Sequence, residues 1–301
     1  MAYTIGVDIG ATKVAAGLVS GGKVVKKFSA TYSQEDRTDK KRFSAAIVRA
    51  IESVWQKSAQ GIGLGVAGVT DPNKNVLLQG ANFPSFFRNV DFGCLLKKFD
   101  RPIRIDNDVH AFALGETVHG QGRGHDLVFG LTVGTGIGGA LVLNGRIVRG
   151  RNNAAGEVGH TVIQMDGGAS CSLGQSGHLE SYVSGNALRR MIGERLTAPV
   201  LPENLEDLAA AGNREAIEII AVAARALAVG FANVIQTVNP DIIVVGGGLS
   251  RMQTLWRGSK EHYRSLVTYQ NMRSTPIVRS KPAFEAGIIG AAQLIAASAD
   301  R

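Results

Sequence analysis

The sequence predicts an α/β protein with a duplicated core. Strand-like runs alternate with helical patterns along the chain, which is typical of the α/β class. The chain also repeats itself, because Leu18-Val19 aligns with Leu141-Val142 and residues 22–25 align with residues 145–148. No G-x-G-x-x-G follows the first strand and no G-x-x-x-x-G-K-S/T occurs, which disfavours a simple dinucleotide-binding sheet and a P-loop NTPase.

Length and composition indicate a globular protein with two domains or lobes. The chain has 301 residues, of which 45% are hydrophobic and 19% are charged. A chain of this size and composition can bury a sizeable core, which excludes a disordered protein. Glycine is abundant, at 38 residues, but shows no G-x-y period, which excludes collagen. The glycines instead form short clusters, as tight turns near ligands require.

Charge and cysteine content indicate a cytoplasmic protein without a nucleic-acid or membrane partner. The net charge of +8 is dispersed and aromatic residues make up only 6%, which supports DNA binding weakly. Cys94 and Cys171 do not make a disulfide framework, so we expect a reducing compartment. The first residues lack the basic and apolar regions of a signal peptide. The apolar stretch at residues 216–238 contains Glu218 and Arg225, and it predicts a buried helix.

In the first half of the chain, strands precede and follow an amphipathic helix. The predicted strands are residues 3–9, 14–19, 23–28, 61–68 and 102–106. Residues 42–57 predict a helix because their apolar residues recur at steps of three or four, at Phe43, Ile47, Ile51 and Val54. A second helix is predicted at residues 109–118.

The second half is predicted to begin with a strand at residues 127–133 and to repeat the hairpin of the first half. A long helix at residues 214–236, a strand at residues 241–245 and a final apolar helix at residues 286–297 follow. The repeat has two interpretations. It is either a chance echo between two hairpins or a duplicated lobe, in which each half presents a glycine-rich hairpin to one shared cleft.

Three glycine-containing turns are candidate nucleotide-binding segments. Asp8 ends the first strand, and residues 10–13 after it supply a glycine, a hydroxyl and a cation, which suits a polyphosphate with Mg²⁺. Residues 134–139 contain four glycines, which let the backbone approach a ligand closely. Residues 246–248 are three glycines after a buried strand, where a flat base or a ribose would fit. Taken singly, each segment is equally well explained as an ordinary turn.

Two further segments carry candidate substrate-binding and metal-binding groups. Asn107 and Asp108 stand at a predicted strand end before a helix, so they either present a carboxylate at the sheet edge or cap the helix. We interpret His110 as a histidine on the helix face. Residues 157–180 combine two glutamates with histidines and a cysteine, which suits sugar hydroxyls, Zn²⁺ or a polar surface loop.

Taken together, these motifs resemble the ROK family of sugar kinases, within the actin-like, hexokinase-like ATPase superfamily. The resemblance covers residues 8–292, and residues 131–160 are similar to the family signature. It implies an α/β, two-lobed actin-like (ribonuclease H-like) fold with a central cleft. The small lobe would span residues 1–110 and be completed by a C-terminal helix at residues 286–301. The large lobe would span residues 111–285.

The resemblance also implies an ATP-dependent hexose kinase that uses Mg²⁺ and transfers the γ-phosphate of ATP to the 6-hydroxyl of a glucose-like sugar. Asp108 matches the catalytic base. The matching sugar ligands are Asn107, Asp108, Glu157, His160 and Glu180, and Asn82 lies in a loop that is expected to border the sugar. The matching ATP-binding residues are Asp8, Gly10, Ala11, Thr12, Lys13, Gly134, Thr135, Gly136, Gly138, Gly246, Gly247 and Gly248. Many members of the family are cytoplasmic homodimers, and we expect the same here.

The zinc motif of the family is only partly matched. His160, Cys171 and His178 stand at ligand positions, whereas Leu173 replaces one of the cysteines. A structural zinc site normally has four protein ligands. The sequence therefore leaves open whether zinc is bound.

The sequence also leaves the sugar and the phosphate donor open. Glucose is the leading candidate sugar, with N-acetylglucosamine, N-acetylmannosamine, mannose and fructose as alternatives, and polyphosphate is an alternative donor to ATP. A sugar sensor without catalytic activity is the alternative from another class, but Asp108 and both glycine turns argue against it. A sugar-responsive repressor is not expected, because the phosphate turn already begins at Asp8.

Overall fold

Two five-stranded sheets form the framework of the protein. The computed structural model describes residues 2–80, 82–171, 174–197, 199–281 and 285–296. The strands are β1 (Tyr3–Ile9), β2 (Lys13–Ser20), β3 (Lys23–Thr31), β4 (Ala59–Val66), β5 (Gly68–Asp71), β6 (Val76–Gly80), β7 (Val90–Asp91), β8 (Ile103–Asn107), β9 (Leu127–Val133), β10 (Ile137–Leu143), β11 (Arg146–Val148), β12 (Ile242–Gly246) and β13 (Ile277–Arg279). The helices are α1 (Lys40–Val54), α2 (Phe92–Leu95), α3 (Asp108–His119), α4 (Glu180–Val183), α5 (Gly185–Arg195), α6 (Leu205–Ala210), α7 (Arg214–Val238), α8 (Gln253–Leu266) and α9 (Ala286–Ala296).

The two sheets have the same topology, because in each sheet the strands lie in the order third, second, first, fourth and fifth along the chain. The first is ordered β3-β2-β1-β4-β8, with an antiparallel β1-β2-β3 meander and with β4 and β8 parallel to β1. The second is ordered β11-β10-β9-β12-β13, with β10 and β11 antiparallel and β12 and β13 parallel. The predicted duplication of the core is therefore confirmed, and a chance echo between two hairpins is excluded. A third, smaller sheet of β5, β6 and β7 follows β4 along the chain, and it was not predicted from the sequence.

The two copies also share their turn chemistry. Gly21 and Gly22 join β2 to β3 with φ of 56° and 74°, and Asn144 and Gly145 join β10 to β11 with φ of 50° and 71°. Two consecutive left-handed residues are what a tight type I′ hairpin requires, and glycine and asparagine adopt this conformation most readily. Gly22 and Gly145, which align in the sequence repeat, therefore occupy the same position of equivalent turns.

The chain divides into two units by the contacts that each makes within itself. The first unit takes its described residues from Met1–Gly130, Ala140–Ala155 and Ser280–Arg301, and the second from Leu131–Gly139 and Gly156–Arg279. This division differs from the predicted lobes, because α3 lies wholly in the first unit while the predicted boundary between residues 110 and 111 falls inside that helix. The predicted boundary between the two lobes therefore stays a prediction.

Close backbone contact between α3 and α9 explains why α3 belongs to the first unit. A Cβ at Gly115 of α3 would lie 2.2 Å from the carbonyl oxygen of Ala286. A Cβ at Gly290 of α9 would lie 1.7 Å from the carbonyl oxygen of Ala111. Since real Cβ atoms cannot approach this closely, both crossing points require glycine, and the two helices touch backbone to backbone.

Helix α9 also lies directly on the first sheet. A Cβ at Gly6 of β1 would lie 1.9 Å from the carbonyl oxygen of Ile288, and one at Gly63 of β4 would lie 1.8 Å from that of Ala291. The opposite face of the sheet is covered by α1, whose apolar residues join the main core of the unit. The predicted final helix is confirmed over its described part, while residues 297–301 of that prediction lie outside the described residues.

The long helix α7 forms the core of the second unit. It is the one helix among the described residues that is long and apolar enough, by length and composition, to cross a membrane. Its apolar side chains, among them Ile219, Leu227 and Phe231, are buried, and it packs against α6 and α8. Asn213 caps its N-terminus by accepting the N–H of Ala216 at 2.9 Å. The predicted buried helix is thus confirmed.

Candidate functional site

The carboxyl ends of three parallel strands bring two predicted site residues of the first unit to one sheet edge. Asp8 of β1 pairs with Gly65 of β4, which in turn pairs with Asp106 of β8. A Cβ at Gly65 would lie 3.3 Å from the Cα of Asp108, so glycine leaves room for the start of α3. Asp8 and Asp108 are therefore close enough for their charges to interact.

Burial raises the pKa of both carboxyl groups, and the charge of Asp8 adds to the effect at Asp108. Burial is the larger cause for Asp108, the charge of Asp8 adds to it, and together they raise the pKa of Asp108 to about 7. Burial also raises the pKa of Asp8, while Lys13 and Lys27 act in the opposite direction. A carboxylate with a pKa near neutral pH is well suited to accept a proton from a hydroxyl group.

Hydrogen bonds within the first predicted phosphate turn, residues 10–13, and from residues outside it stabilise its conformation. Within it, the N–H of Gly10 donates to the carbonyl oxygen of Lys13 at 3.0 Å. The N–H of Tyr32 donates to the carbonyl oxygen of Thr12 at 3.0 Å, and the guanidinium of Arg37 donates to that of Ala11 at 2.5 Å. Arg37 was not predicted from the sequence, because it lies between β3 and α1, 26 positions away from its partner Ala11.

The other predicted sugar-binding residues of the first unit have different surroundings. The side-chain oxygen of Asn107 caps α3 by accepting the N–H of Val109 at 2.8 Å, and its side-chain nitrogen donates to the carbonyl oxygen of Gly68 at 3.0 Å. The capping role, which the sequence left as an alternative, is therefore real. Asn82 is exposed in the loop after β6, with a left-handed φ of 61°. Sugar binding by Asn82 and by Asn107 stays a prediction.

One buried residue of this edge was missed at the sequence level. Asp106 has no exposed surface, and its carboxylate accepts hydrogen bonds from His110, Arg149 and Asn153. His110 is itself 3% exposed, so the expected helix-face histidine faces inward. An aspartate at an inward position of a strand, where charged residues are rare, was the available signal.

The second predicted phosphate turn lies next to the predicted adenosine segment in the second unit. Its first residue, Gly134, accepts the N–H of Gly185 at 2.7 Å, at the start of α5. Gly247 has a left-handed φ of 87°, and a Cβ there would lie 2.4 Å from the carbonyl oxygen of Val133. Both glycine segments thus meet at the end of β9, and a larger residue than glycine at position 247 would push them apart.

Three predicted sugar ligands surround the same glycine turn. A Cβ at Gly136 would lie 3.1 Å from a carboxylate oxygen of Glu180, the first residue of α4. The turn that carries Glu157 and His160 packs closely on β10, because a Cβ at Gly159 would lie 2.3 Å from the carbonyl oxygen of Ile137. The Nε2 atom of His160 lies 4.0 Å from a carboxylate oxygen of Glu157. The second unit therefore places Glu180 beside the predicted phosphate turn, and the turn with Glu157 and His160 against the start of β10.

The three candidate zinc ligands of the second unit lie together. The ligand atoms of His160, Cys171 and His178 are within 4.8 Å of one another, and the two imidazole rings meet edge to face at 5.5 Å. The Nδ1 atoms of both histidines are buried without a hydrogen-bond partner among the described residues. Unpaired buried nitrogens are costly, and a metal ion would satisfy them, so this donor set fits Zn²⁺. Leu173, which replaces a cysteine of the family motif, lies outside the described residues.

Comparisons with known proteins agree on one family. The ROK family model matches residues 4–298. The chain is 33% identical to the glucokinase of Thermotoga maritima, over 97% of this chain and 96% of that one. It is 30% identical to the N-acetyl-D-glucosamine kinase of Shigella flexneri, over 83% of this chain and 85% of that one.

A solved structure with a similar fold comes from the same family. The ROK family glucokinase from Streptomyces griseus, in complex with glucose and AMPPNP, has a TM-score of 0.82 at 27% identity, over 97% of this chain and 98% of that one. The predicted actin-like ATPase fold is thereby confirmed. Because the family match spans nearly the whole sequence and is accompanied by a relative at 33% identity, the chain belongs to the ROK family.

Proposed function

We propose that this chain is an ATP-dependent hexose kinase that phosphorylates the 6-hydroxyl of glucose. The relatives support the class of reaction, since glucokinases and an N-acetyl-D-glucosamine kinase match over most of the chain. The observation that carries the proposal is Asp108, a half-buried carboxyl group at the start of α3, directly after β8, whose pKa is raised to about 7. This is the chemistry that a base for a sugar hydroxyl needs.

In the proposed reaction, the oxygen of the sugar 6-hydroxyl attacks the γ-phosphorus of ATP. Asp108 accepts the proton that this hydroxyl loses. The bond from that phosphorus to the β,γ-bridging oxygen breaks, and ADP carries the negative charge away. Phosphoryl transfer needs little covalent chemistry from a protein, so positioning and charge stabilisation lower most of the barrier. A general base adds roughly 10²–10⁴-fold to the rate.

For the donor, the proposal assigns a role to each glycine segment. The turn at residues 10–13 and the turn at residues 134–138 bind phosphate groups through their backbone N–H groups, and Gly246, Gly247 and Gly248 adjoin the adenosine. Asp8 would hold Mg²⁺, and the ion would neutralise phosphate charge. The bracing of residues 10–13 by Tyr32 and Arg37 supports a fixed phosphate turn.

For the sugar, we assign hydroxyl binding to Asn82, Asn107, Glu157, His160 and Glu180. Carboxylates accept hydrogen bonds from sugar hydroxyls, and the position of Glu180 beside Gly136 supports a sugar near the phosphate turn. We also assign Zn²⁺ to His160, Cys171 and His178, with water or another group in the fourth position. The ion would fix the segment that carries His160 and begins α4, which supports a structural role.

Phosphorylation of an N-acetylhexosamine is the second candidate function. Its support is the similarity to an N-acetyl-D-glucosamine kinase at 30% identity.

We further propose that the enzyme acts as a homodimer in the cytoplasm. A reducing compartment is consistent with Cys94, which is exposed and forms no disulfide. Sedimentation analysis at micromolar concentration tests the oligomeric state directly.

A coupled assay with purified enzyme tests the proposed reaction. The enzyme should phosphorylate glucose with Mg-ATP faster than N-acetylglucosamine, N-acetylmannosamine, mannose or fructose, and it should leave 6-deoxyglucose unchanged. Asp108→Asn should keep glucose affinity but lose about 10²-fold or more in kcat, because the amide cannot accept a proton. Asp91→Asn is the matched control, since Asp91 caps α2 by accepting the N–H of Cys94 at 2.9 Å. Phosphorylation of 6-deoxyglucose, or an unchanged kcat in Asp108→Asn, would contradict the proposal.

A further inference from the structure

The carboxylate of Asp106 is completely buried and fully engaged. One oxygen accepts from His110 Nδ1 at 2.7 Å, from the N–H of Asn107 at 2.8 Å and from Asn153 Nδ2 at 3.1 Å. The other oxygen accepts from Arg149, through Nε at 2.9 Å and Nη2 at 2.6 Å. Burying a carboxylate is costly unless it is paired and hydrogen-bonded, and here both oxygens are.

The surroundings of Asp106 keep it ionised. Burial alone would raise the pKa of Asp106, but the hydrogen bond and charge of His110 and the charge of Arg149 together hold that pKa below its usual value. An ionised carboxylate forms shorter and stronger hydrogen bonds than a neutral one. The cluster of Asp106, His110, Arg149 and Asn153, called the Asp106 cluster below, is therefore a rigid polar core rather than a loose surface contact.

The Asp106 cluster joins three segments of the first unit. Asp106 ends β8 directly before Asn107 and Asp108, and His110 lies in the first turn of α3. Arg149 and Asn153 belong to the segment after β11, and Asn153 has a left-handed φ of 57°. Its amide nitrogen also donates to the Thr70 hydroxyl at 3.0 Å. These hydrogen bonds thus hold the backbone on both sides of Asp108, at Asp106 before it and at His110 after it.

We propose that Asp106 is a positioning residue for Asp108, and that it acts through Arg149, His110 and Asn153. This inference rests on the proposed function, because it assumes that Asp108 is the base. Asp106 touches neither substrate nor reacting atoms in this role. It fixes the strand end and the first helical turn, so that the Asp108 carboxylate keeps one orientation. A misplacement of about 1 Å in such a group costs up to roughly 10²-fold in rate.

Two variants and their combination test the inference. Asp106→Asn removes the charge that holds Arg149 and His110, and Arg149→Met removes the guanidinium while keeping much of its volume. Each should lower kcat about 10–100-fold, while KM for ATP changes less than threefold. The double variant should lose no more than the worse single variant, because residues of one network are not additive. Arg149→Lys, which keeps the cation, should retain more of kcat than Arg149→Met.

Arg101→Met is the matched control for Arg149→Met. Arg101 is also partly buried, and its guanidinium donates to the carbonyl oxygens of Lys57, Ala59 and Asp100 at 2.7–2.8 Å, before β8 begins. It should lower the melting temperature without changing kcat per folded molecule. Glucose affinity by calorimetry should be retained in all folded variants to within about fivefold, since the direct sugar ligands are unchanged.

The outcomes separate the inference from the proposed function. If the unmodified enzyme phosphorylates no sugar, the proposed function fails. If it is active but Arg149→Met and Asp106→Asn only lower stability and keep kcat, the positioning role is wrong. Additive losses in the double variant would also overturn it, because the two residues would then act separately. If Asp106→Asn does not fold, the comparison of Arg149→Met, Arg149→Lys and Arg101→Met still decides, since Arg149 is partly exposed.

Discussion

Lowering the pH from 8 to 6 should reduce kcat/KM for glucose about tenfold. The reason is the pKa of Asp108, which burial and the charge of Asp8 raise to about 7. A base must be ionised to accept a proton, and with this pKa about nine-tenths of the molecules are ionised at pH 8 and about one-tenth at pH 6. Activity should therefore rise with pH through the neutral range and level off above it.

The same shift has an opposite consequence for stability. An aspartate in an unfolded chain ionises near its ordinary pKa, whereas Asp108 in the folded protein holds its proton up to about pH 7. Between these two values the folded state binds more protons, so the contribution of Asp108 to the free energy of unfolding falls as the pH rises. Asp108→Asn should therefore melt at a higher temperature than the unmodified enzyme at pH 8, although it is far less active.

The assay is a coupled measurement of kcat/KM between pH 5.5 and 9 at a fixed concentration of fully ionised Mg-ATP. Holding that species constant separates the ionisation of the enzyme from that of the donor. The coupling enzymes are kept in excess at every pH, and Asp91→Asn is measured in parallel. An acidic limb centred below pH 5.5 would refute the reasoning, because the base would then titrate like an ordinary exposed carboxylate.

Three further predictions concern packing, metal and nucleotide. Gly290→Ala should lower the free energy of unfolding by about 3 kcal/mol or more in urea titrations, because its Cβ would strike the backbone of α3, while Gly193→Ala, with open space around it, should be neutral or slightly stabilising. Elemental analysis of untagged protein should find about one zinc per chain, and His178→Ala should lose it together with glucose affinity; full activity of a zinc-free enzyme after prolonged chelation would exclude the site. Gly247→Ala should raise KM for ATP at least tenfold with little change in glucose affinity, since its Cβ would press on β9; an unchanged KM would mean that this segment does not adjoin the nucleotide.

Elements that bury one regular face were predictable from the sequence, although not every one of them was predicted. The helix predicted at residues 42–57 is α1 (Lys40–Val54), and its start differs because Asp39 caps the helix by accepting the N–H of Arg42 at 2.8 Å. Helix α8 (Gln253–Leu266) was not predicted, although its buried residues Leu255, Ser259 and Tyr263 recur at steps of four as in α1. Its periodic pattern was available in the sequence, so this helix was simply missed.

The candidate site was predictable in its motifs but not in its supporting contacts. Asp108 and the glycine turns stand out in combination, because each of them taken singly is explained equally well as a helix cap or an ordinary turn. The partners of Asp106 do not stand out, since Arg149 and Asn153 follow it by more than forty positions and meet it only through the fold. Asn107 shows the remaining ambiguity, because one residue type serves equally as a helix cap and as a hydroxyl ligand.

Because α9 packs directly on glycines of β1 and β4, the first unit cannot finish folding before α9 has been synthesised. Gly6 and Gly63 lie under α9, yet the ribosome completes residues 286–296 long after it completes β1 and β4. At about 5–20 residues per second, α9 follows Gly130 by roughly 8–30 s. Throughout that interval the sheet face that α9 covers is exposed in the nascent chain, and transiently exposed apolar surface promotes aggregation. The first unit therefore completes its fold only after translation of the second, when α9 covers β1 and β4.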